Sequence, residues 1–459
     1  MRAKPEGNLL LSSSSSSPVS SSQEVVSRRE GLGFLQHRPQ RRWIEVTDNV
    51  RREYECASSR PECRLQTNLL KDIRPPVQKA VDSFLSRFFP LGYPHSVAEG
   101  YLVYSQYRAI QHFASAALHV LSTQSLLFAA GLRPTPAQAT IISWVLKDGM
   151  QHFGKLVCSS MGARMDSEPK RWRIFADVMY DIGGGLEVLS PLCPQHFLPV
   201  AGVANLAKGM ALVSARATRL PVYSAFAKED NLSDLYAKGE AISTLSNVLG
   251  LGAGIYLASN IAASIQGKLV MAPLLSAVHL YSVTQEMRAA PINTLNAQRT
   301  AMLVADFIKT GIVSRPADLR YKERLILPVS LLKDAGNVRV VTQLQTAIGK
   351  PSRLTELKQR FRNKRFLLKF GQKSTDLVLH QLAKGEDAVE GWLMAANVAR
   401  LSKESDFSSL AEAGGVSSSV FEKAYEETEK QLPVLLSGLR EHGWHTHLFL
   451  EGNGVRAVW

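Results

Sequence analysis

Stretches without ionised side chains dominate the middle of the chain. Four of them contain no Asp, Glu, Lys or Arg, and they cover residues 109–132, 188–207, 241–267 and 269–285. About 20 mainly apolar residues suffice for a helix to cross the hydrocarbon core of a bilayer. The pattern therefore predicts long buried helices in this region, packed either in a membrane or in a water-soluble bundle.

Polar and small residues within these stretches are compatible both with a membrane and with a water-soluble bundle. Gln111 and His112 cost free energy in lipid unless they find partners. Gly250 and Gly254 let helix backbones approach closely, which suits packing in a membrane and in a soluble bundle alike. Proline-rich breaks divide the region into helical lengths, and they fall at 89–94, 133–136, 191–194, Pro221 and Pro291.

The pattern changes beyond residue 300. RLILPVSLL, NVRVVTQL and RFLLKF are short β-prone runs, whereas residues 377–401 and 421–439 have a helical pattern that precedes the alternating WHTHLFL. We therefore predict a mainly α fold. Its multi-helix apolar core domain covers residues 66–300, and a smaller α+β domain covers 301–459.

The N-terminal segment is rich in serine and arginine. Nine of the eleven residues from Ser12 to Ser22 are serine, and seven arginines lie between Arg28 and Arg52. Such a composition is typical of an organelle transit peptide, although acidic residues such as Glu24 argue against that interpretation. We expect residues 1–65 to be a disordered leader outside the core, acting either as a transit peptide or as a solvated tail.

Composition narrows the class of protein further. The chain has 459 residues, a net charge of +14 and 45 % hydrophobic residues, which excludes wholesale disorder. Residues 91–300 hold only 28 charged side chains, whereas the rest of the chain holds 66. The four cysteines form no C-x-x-C pair, so a disulfide scaffold or a zinc ribbon is excluded and idle thiols in a reducing compartment are expected.

A basic stretch at 350–373 contains nine Lys or Arg residues and one acid, Glu356, with phenylalanines between them. It is either a solvated face over ordinary packing or a surface for anionic lipid headgroups. Nucleic acid is the least favoured partner, because the chain has no RNA-recognition or zinc-finger signature.

Common catalytic signatures are missing from the sequence. It contains no G-x-x-x-x-G-K-[ST], G-x-S-x-G or H-E-x-x-H motif. His442, His445 and His447 offer imidazoles near one another, but no acid or thiol completes a metal site at a suitable spacing, so we predict no metal. The residues identify no cofactor, and we expect a non-enzymatic protein.

Charged side chains in apolar surroundings are the best candidates for ligand or partner contacts. Lys147 and Asp148 are adjacent in WVLKDGMQHFG, where they either lock helices together or line a ligand path. Asp177 and Asp181 are four residues apart and share a helix face. The complete set of candidates is Lys147, Asp148, Asp166, Lys170, Arg171, Asp177 and Asp181.

Several strings resemble one known family. FFPLGYPHSVAEGYLVYSQYRAIQ at 88–111, WVLKDGMQHFG at 144–154, RMDSEPKRWRIFADVMYD at 164–181, NLSDLYAKGEA at 231–241 and LREHGWHTHLFLEGNGVR at 439–456 are similar to sequences of the root UVB sensitive family. The signature positions of this resemblance are Pro90, Gly92, Tyr93, Pro94, Ser96, Val97, Tyr101 and Tyr104.

The resemblance implies a role more than a reaction. Members of the family are associated with plant development, ultraviolet-B sensitivity and pyridoxine homeostasis, and no catalytic activity defines them. We therefore expect a membrane-associated factor in a plastid or at another intracellular membrane. Its partners would be other family members, further copies of itself or membrane lipid. The alternative is a transporter-like carrier of a small metabolite.

Overall fold

The computed structural model describes residues 42–47, 50–55, 66–69, 77, 80, 83–84, 86–132, 137–326, 335–341, 343–345, 351–371, 374–404, 417–452 and 456–459. The chain divides into two units, residues 1–73 and residues 74–459.

The first unit contains a small antiparallel sheet. Its strands are β1 (Arg42–Thr47), β2 (Val50–Glu55) and β3 (Gln66–Leu69), in the order β1-β2-β3. Two of these strands lie where the sequence predicted a disordered leader. Isoleucine, valine and aromatic residues in RWIEVT and VRREYE favour extended structure, which explains the difference. Residues 1–41 of the predicted leader lie outside the described residues.

Long helices form the first part of the second unit, which we call the helical bundle (101–289). They are α1 (Tyr101–Gly131), α2 (Ala137–Ser159), α3 (Gly162–Ser167), α4 (Pro169–Leu189), α5 (Phe197–Ala217), α6 (Arg219–Ser224), α7 (Leu232–Tyr256) and α8 (Ile265–Ala289). Short 3₁₀ turns at Ser190–Leu192 and Pro194–His196 precede α5, and a π-helical turn at Leu257–Ile261 follows α7.

Two helices organise the bundle. Helix α1 packs against α4, α7 and α8, while α4 also packs against α5 and α8, and α5 covers α2. Small residues allow these close contacts. A Cβ atom at Gly209 would collide with the backbone of Gln151 in α2, and one at Gly254 would lie 2.9 Å from the Cα of Ala117 in α1. The glycines are therefore needed where helix backbones meet.

The remaining elements form the C-terminal region (294–459). They are β4 (Thr294–Asn296), α9 (Ala297–Thr310), α10 (Pro316–Leu319), β5 (Val338–Val340), α11 (Pro351–Arg360), β6 (Phe366–Phe370), β7 (Thr375–His380), α12 (Gly385–Glu404), α13 (Ser418–Glu441), β8 (His445–Leu450) and β9 (Arg456–Ala457). The sheet order is β5-β7-β6 with β9 on β7, and β4 pairs in parallel with β8. The prediction of a mainly α fold with strands toward the C-terminus is confirmed.

The largest apolar core lies in the C-terminal region, around Trp392, Phe366 and Leu377, each with no exposed area. One prediction there was partly wrong. Residues 377–380 belong to β7, and the helix begins only at Gly385. Strand β7 is buried on both faces, and a continuous apolar run cannot be told from a buried helix by its periodicity. The predicted domain boundary at 300 falls inside α9.

Candidate functional site

Charged and polar side chains lie buried where α1, α4 and α8 meet. We call this set the polar network. Each member exposes at most 7 % of its surface, and the members are Arg108, Gln111, Arg173, Asp177, Asp181, His279 and Glu286. Buried charges are costly unless they are paired and hydrogen-bonded, so the contacts among these residues decide whether the bundle is stable.

Helical periodicity brings these residues together. Arg173, Asp177 and Asp181 recur every four residues along α4 and therefore share one face. His279 and Glu286 are seven residues apart on α8, which is about two turns. Each helix thus directs these polar side chains toward the place where α1, α4 and α8 meet.

His279 joins the two aspartates of α4. Its Nδ1 lies 2.7 Å from Asp181 Oδ1, and its Nε2 lies 3.5 Å from Asp177 Oδ1. Asp177 also lies 3.1 Å from Arg173 Nε through its second oxygen, and it accepts a hydrogen bond of 3.0 Å from Gln111 Nε2. Helices α1, α4 and α8 are thereby held together by one imidazole and one carboxylate.

Arg108 and Glu286 form the second half of the network. The Arg108 Nη1 group donates to Glu286 Oε1 at 3.3 Å, and both side chains are almost completely buried. Arg108 also stacks over the ring of Tyr223, with its guanidinium carbon 5.7 Å from the ring centroid. Its other terminal nitrogen lies 3.7 Å from the half-exposed Glu240, which connects the network to the surface.

The charges of the network balance when His279 is protonated and all three of its carboxylates are ionised. Two arginines face three carboxylates, Asp177, Asp181 and Glu286. Burial alone would lower the pKa of His279, but hydrogen bonds to Asp177 and Asp181 outweigh burial and raise that pKa to about 9. The imidazole therefore holds a proton at neutral pH.

The two aspartates respond differently to their surroundings. Burial raises the pKa of Asp181. At Asp177 the nearby Arg173 guanidinium and the His279 imidazole outweigh burial and lower the pKa. Asp177 is thus the more acidic member of the pair.

Among the predicted candidates, Lys170 has a separate position at the start of α4. It donates to Glu323 Oε1 at 2.6 Å, and Glu323 also lies 3.5 Å from Arg299. Arg171 pairs with Glu168 at the partly exposed side of α4, and Asp166 is exposed. The structure therefore brings Asp177 and Asp181 together and places the other candidates elsewhere.

Lys147 and Asp148 do not form a buried pair. Lys147 is buried against the ring of Trp144, but 61 % of the Asp148 side chain is exposed. They still form an ion pair of 2.6 Å, and Asn205 of α5 donates to the same Asp148 oxygen at 3.2 Å. Adjacent residues on a helix point in different directions, so the two side chains cannot both face the core.

The family-signature positions fix the entry to α1. The loop formed by Pro90, Gly92, Tyr93, Pro94, Ser96 and Val97 contacts the segment 226–234. Val97 bridges to Ala227, the Ser96 carbonyl accepts from Asn231 at 3.0 Å, and the Leu91 amide donates to Asp234 at 2.8 Å. Tyr101 and Tyr104 then pack on Phe226. These positions are structural in this chain.

Sequence reasoning missed Arg108, His279 and Glu286 as site residues. A signal was available, because His279 lies inside the charge-free stretch 269–285 and the other two residues border such stretches. Ionisable residues beside or within long apolar helices usually face a partner. Across the described ranges, no group of three His, Cys, Asp or Glu side chains is placed to hold a metal ion.

The outside of the bundle is apolar. Among the described residues, three helical segments are long and apolar enough to cross a membrane by length and composition: Tyr101–Gly131, Pro194–Ser224 and Leu232–Ile261. Only 28 % of the most apolar window of the last segment is buried in the protein. Its exposed side chains include Val248, Leu249, Ile255 and Tyr256.

A helical bundle with a charged interior, an apolar exterior and a mixed C-terminal region defines the class of protein. The model of the family described as "Vitamin B6 photo-protection and homoeostasis domain" matches residues 75–311. The chain belongs to this family, the root UVB sensitive family.

Curated relatives cover most of the chain. It is 56 % identical over 418 residues to the Arabidopsis thaliana protein named root UVB sensitive 2, chloroplastic, covering 91 % of this chain and 94 % of the relative. It is 29 % identical to Arabidopsis root UVB sensitive 3 over 82 % of this chain and 86 % of the relative. RUS family member 1 of Dictyostelium discoideum is 29 % identical over 53 % of this chain and 48 % of the relative. No solved structure matches the chain.

Proposed function

We propose that this protein is a non-enzymatic plastid factor in vitamin B6 homoeostasis and the ultraviolet-B response, held at a membrane by the outside of its helical bundle. The family description supports the vitamin B6 role, and the word "chloroplastic" in the name of a 56 % identical relative supports the compartment.

The apolar exterior of the bundle is the observation that carries the membrane part. Val248 exposes 61 % of its surface, Ile255 60 % and Val270 69 %. A soluble monomer rarely exposes a large contiguous apolar surface, and lipid hydrocarbon covers such a surface without cost. The alternative is that a second copy of the chain or another family member packs against the same helices.

Alkaline carbonate extraction of plastid membranes tests this part of the proposal. The full-length protein is expected to stay in the membrane pellet, and complete release into the supernatant would overturn membrane binding. Val248→Glu should shift protein toward the supernatant, because a carboxylate in hydrocarbon is costly. Val434→Glu is the matched control, since Val434 is 60 % exposed but lies in the C-terminal region. Release as a stable oligomer would favour self-association instead.

Fluorescent-tag imaging tests the compartment. The full-length chain is expected in plastids, and a chain without residues 1–65 is expected to remain outside them. Plastid import of the shortened chain would contradict the transit-peptide interpretation of the Ser/Arg-rich leader.

A carrier of a small metabolite is the second candidate function. The polar network favours it, because ionisable residues inside a bundle with an apolar exterior commonly mark a substrate or proton path. Asp181→Asn would then abolish pyridoxine uptake into vesicles that contain the protein. Uptake is compared at equal amounts of folded protein, because the loss of a buried carboxylate beside His279 also lowers stability.

A further inference from the structure

A cavity of about 320 Å³ lies where the bundle and the C-terminal region meet. Its walls include Glu168 and Trp172 from the start of α4, Asn296 at the start of α9, and Phe449, Leu450 and Glu451 at the end of β8. The volume is at the lower end for ligand cavities and suits one small molecule.

The topology explains why a binding site forms at this place. Strands β4 and β8 are parallel, with Asn296 opposite Leu450, so both carboxyl ends point to the same edge. Helix α9 begins directly after β4, and the Asn296 side chain caps it by accepting from the Arg299 amide at 2.8 Å. A crevice at the carboxyl ends of parallel strands is the common position for ligands in such sheets.

One acceptor atom in the wall of this cavity, in Glu451, lacks a hydrogen-bond donor among the described residues. The Glu451 side chain is only 6 % exposed, and its Oε1 lies 3.4 Å from Arg456 Nη2. Its other oxygen, Oε2, is enclosed and has no hydrogen-bond partner within the described part of the chain. A buried acceptor without a partner costs about 1–3 kcal/mol, so a donor from a ligand would relieve that cost.

The other walls select an aromatic ligand. Trp172 and Phe449 supply flat apolar surface, and Leu450 adds aliphatic surface. Glu168, which is paired with Arg171, and Arg164 also line the cavity. Burial raises the pKa of Glu451, although Arg456 opposes this effect, which suits a carboxyl that shares a proton with a bound ring nitrogen or hydroxyl.

We propose that this cavity binds a hydroxypyridine of the vitamin B6 class, with its ring against Trp172 and Phe449 and a ring N–H or hydroxyl donating to Glu451. This inference rests on the proposed role in vitamin B6 homoeostasis. It goes beyond that role because it assigns a site, and no contact with the polar network is required.

The test measures the equilibrium binding of pyridoxine to the purified full chain by isothermal titration calorimetry. Wild type is expected to bind one pyridoxine. Glu451→Gln keeps the side-chain size but removes the charged acceptor, so affinity should fall about tenfold or more. Glu441→Gln is the matched control, because Glu441 is exposed at the end of α13 and should bind as wild type does. Equal binding by wild type and Glu451→Gln would overturn the assignment.

A second variant protects the test against misfolding. Trp172→Phe keeps an aromatic wall, and it should remove most of the quenching of protein fluorescence that bound pyridoxine causes. Unchanged quenching in this variant would place the ligand elsewhere and overturn the proposal.

Pyridoxine 5′-phosphate is the second ligand to be measured. Glu168 and Glu451 are paired with Arg171 and Arg456, and Arg164 also lines the cavity, so the charges at the cavity do not exclude a phosphate. Glu451→Gln should weaken binding of the ester as it weakens binding of pyridoxine, and unchanged binding of the ester by this variant would contradict the acceptor role of Glu451. If no pyridoxine binds while the protein stays in carbonate-washed membranes, the cavity inference fails and the proposed membrane role stands.

Discussion

The helical bundle and the C-terminal region place their polar and apolar side chains in opposite ways. In the C-terminal region Trp392, Phe366 and Leu377 are fully buried. In the bundle Arg108 and Glu286 are buried at the centre, while the outside is lined with exposed valine, leucine and isoleucine. The apolar clusters of the bundle are smaller than the core of the C-terminal region, and the largest of them lies around Tyr101, Tyr223 and Phe226. The bundle thus buries charged side chains and exposes apolar ones, whereas the C-terminal region buries its large apolar side chains. The membrane association proposed above would account for this difference.

Large aromatic side chains should show the greatest difference between the two regions. Trp392→Ala removes a completely buried indole and is expected to lower the free energy of unfolding by about 3–5 kcal/mol. Tyr256 is 62 % exposed on α7, so Tyr256→Ala should have a much smaller effect on stability and should weaken membrane retention instead. Denaturant unfolding of the full chain in detergent, followed by circular dichroism, measures both. Equal destabilisation by the two substitutions would remove the contrast.

Breaking the buried ion pair of the bundle is the next largest effect. Glu286→Gln leaves Arg108 buried without its carboxylate, and a loss of about 3 kcal/mol in unfolding free energy is expected. Asp318→Asn breaks a pair of similar geometry, 3.0 Å from Arg315, but both side chains are exposed. This control should unfold as wild type does, since exposed pairs contribute little. The same denaturant titration reports the difference, and a tolerant Glu286→Gln would argue against a charged interior.

The protonated imidazole gives the bundle a pH dependence. Because the pKa of His279 is raised from 6.5 to about 9 in the folded state, its stabilisation is fully present below pH 6.5 and is lost as pH rises through 9. The expected loss is about 3 kcal/mol. Thermal unfolding between pH 6 and pH 10 measures it.

Two histidine variants show whether His279 is the cause. His279→Gln should lack the alkaline loss, because no proton is held between the aspartates. His196 is exposed, and His196→Gln should keep the wild-type pH dependence. If wild type, His279→Gln and His196→Gln lose stability equally as pH rises, the assignment of a proton to His279 is contradicted.

Close helix packing gives the smallest predicted effect. A Cβ at Gly254 would meet Ala117 and Val120 at 2.9–3.0 Å, whereas nothing lies within 4 Å of a Cβ at Gly252. Gly254→Ala should destabilise the contact between α1 and α7 by about 1–3 kcal/mol. Gly252→Ala, two residues away on the same helix, should be neutral or slightly stabilising. Thermal unfolding of both variants in detergent distinguishes crowding from helix propensity.

Much of the bundle could be predicted from the sequence, because charge-free stretches and prolines mark helices and their ends. The shared face of Asp177 and Asp181 follows from their spacing alone. Their partner does not, since His279 lies 98 residues beyond Asp181 and no local pattern links the two. Lys147 is buried and Asp148 is exposed because of the way α2 packs against α5. The spacing of the two residues in the sequence carries no information about that packing.

The C-terminal region was harder to predict for a different reason. Strand β7 is buried on both faces, so its sequence lacks the alternation that identifies a strand. The cavity beside Glu451 could not be predicted either, because its walls come from four distant segments that meet only in the folded chain.

The most direct experiment measures whether lipid or water contacts the outside of the bundle. A spin label at Val248→Cys, in full-length protein with its native cysteines replaced by serine and reconstituted in lipid bilayers, reports its exposure to oxygen and to a water-soluble nickel complex. A label at Val434→Cys provides the comparison in the C-terminal region. We expect oxygen to reach the label at 248 and the nickel complex to be excluded from it, whereas the nickel complex should reach the label at 434. Strong nickel exposure at 248 would contradict this expectation.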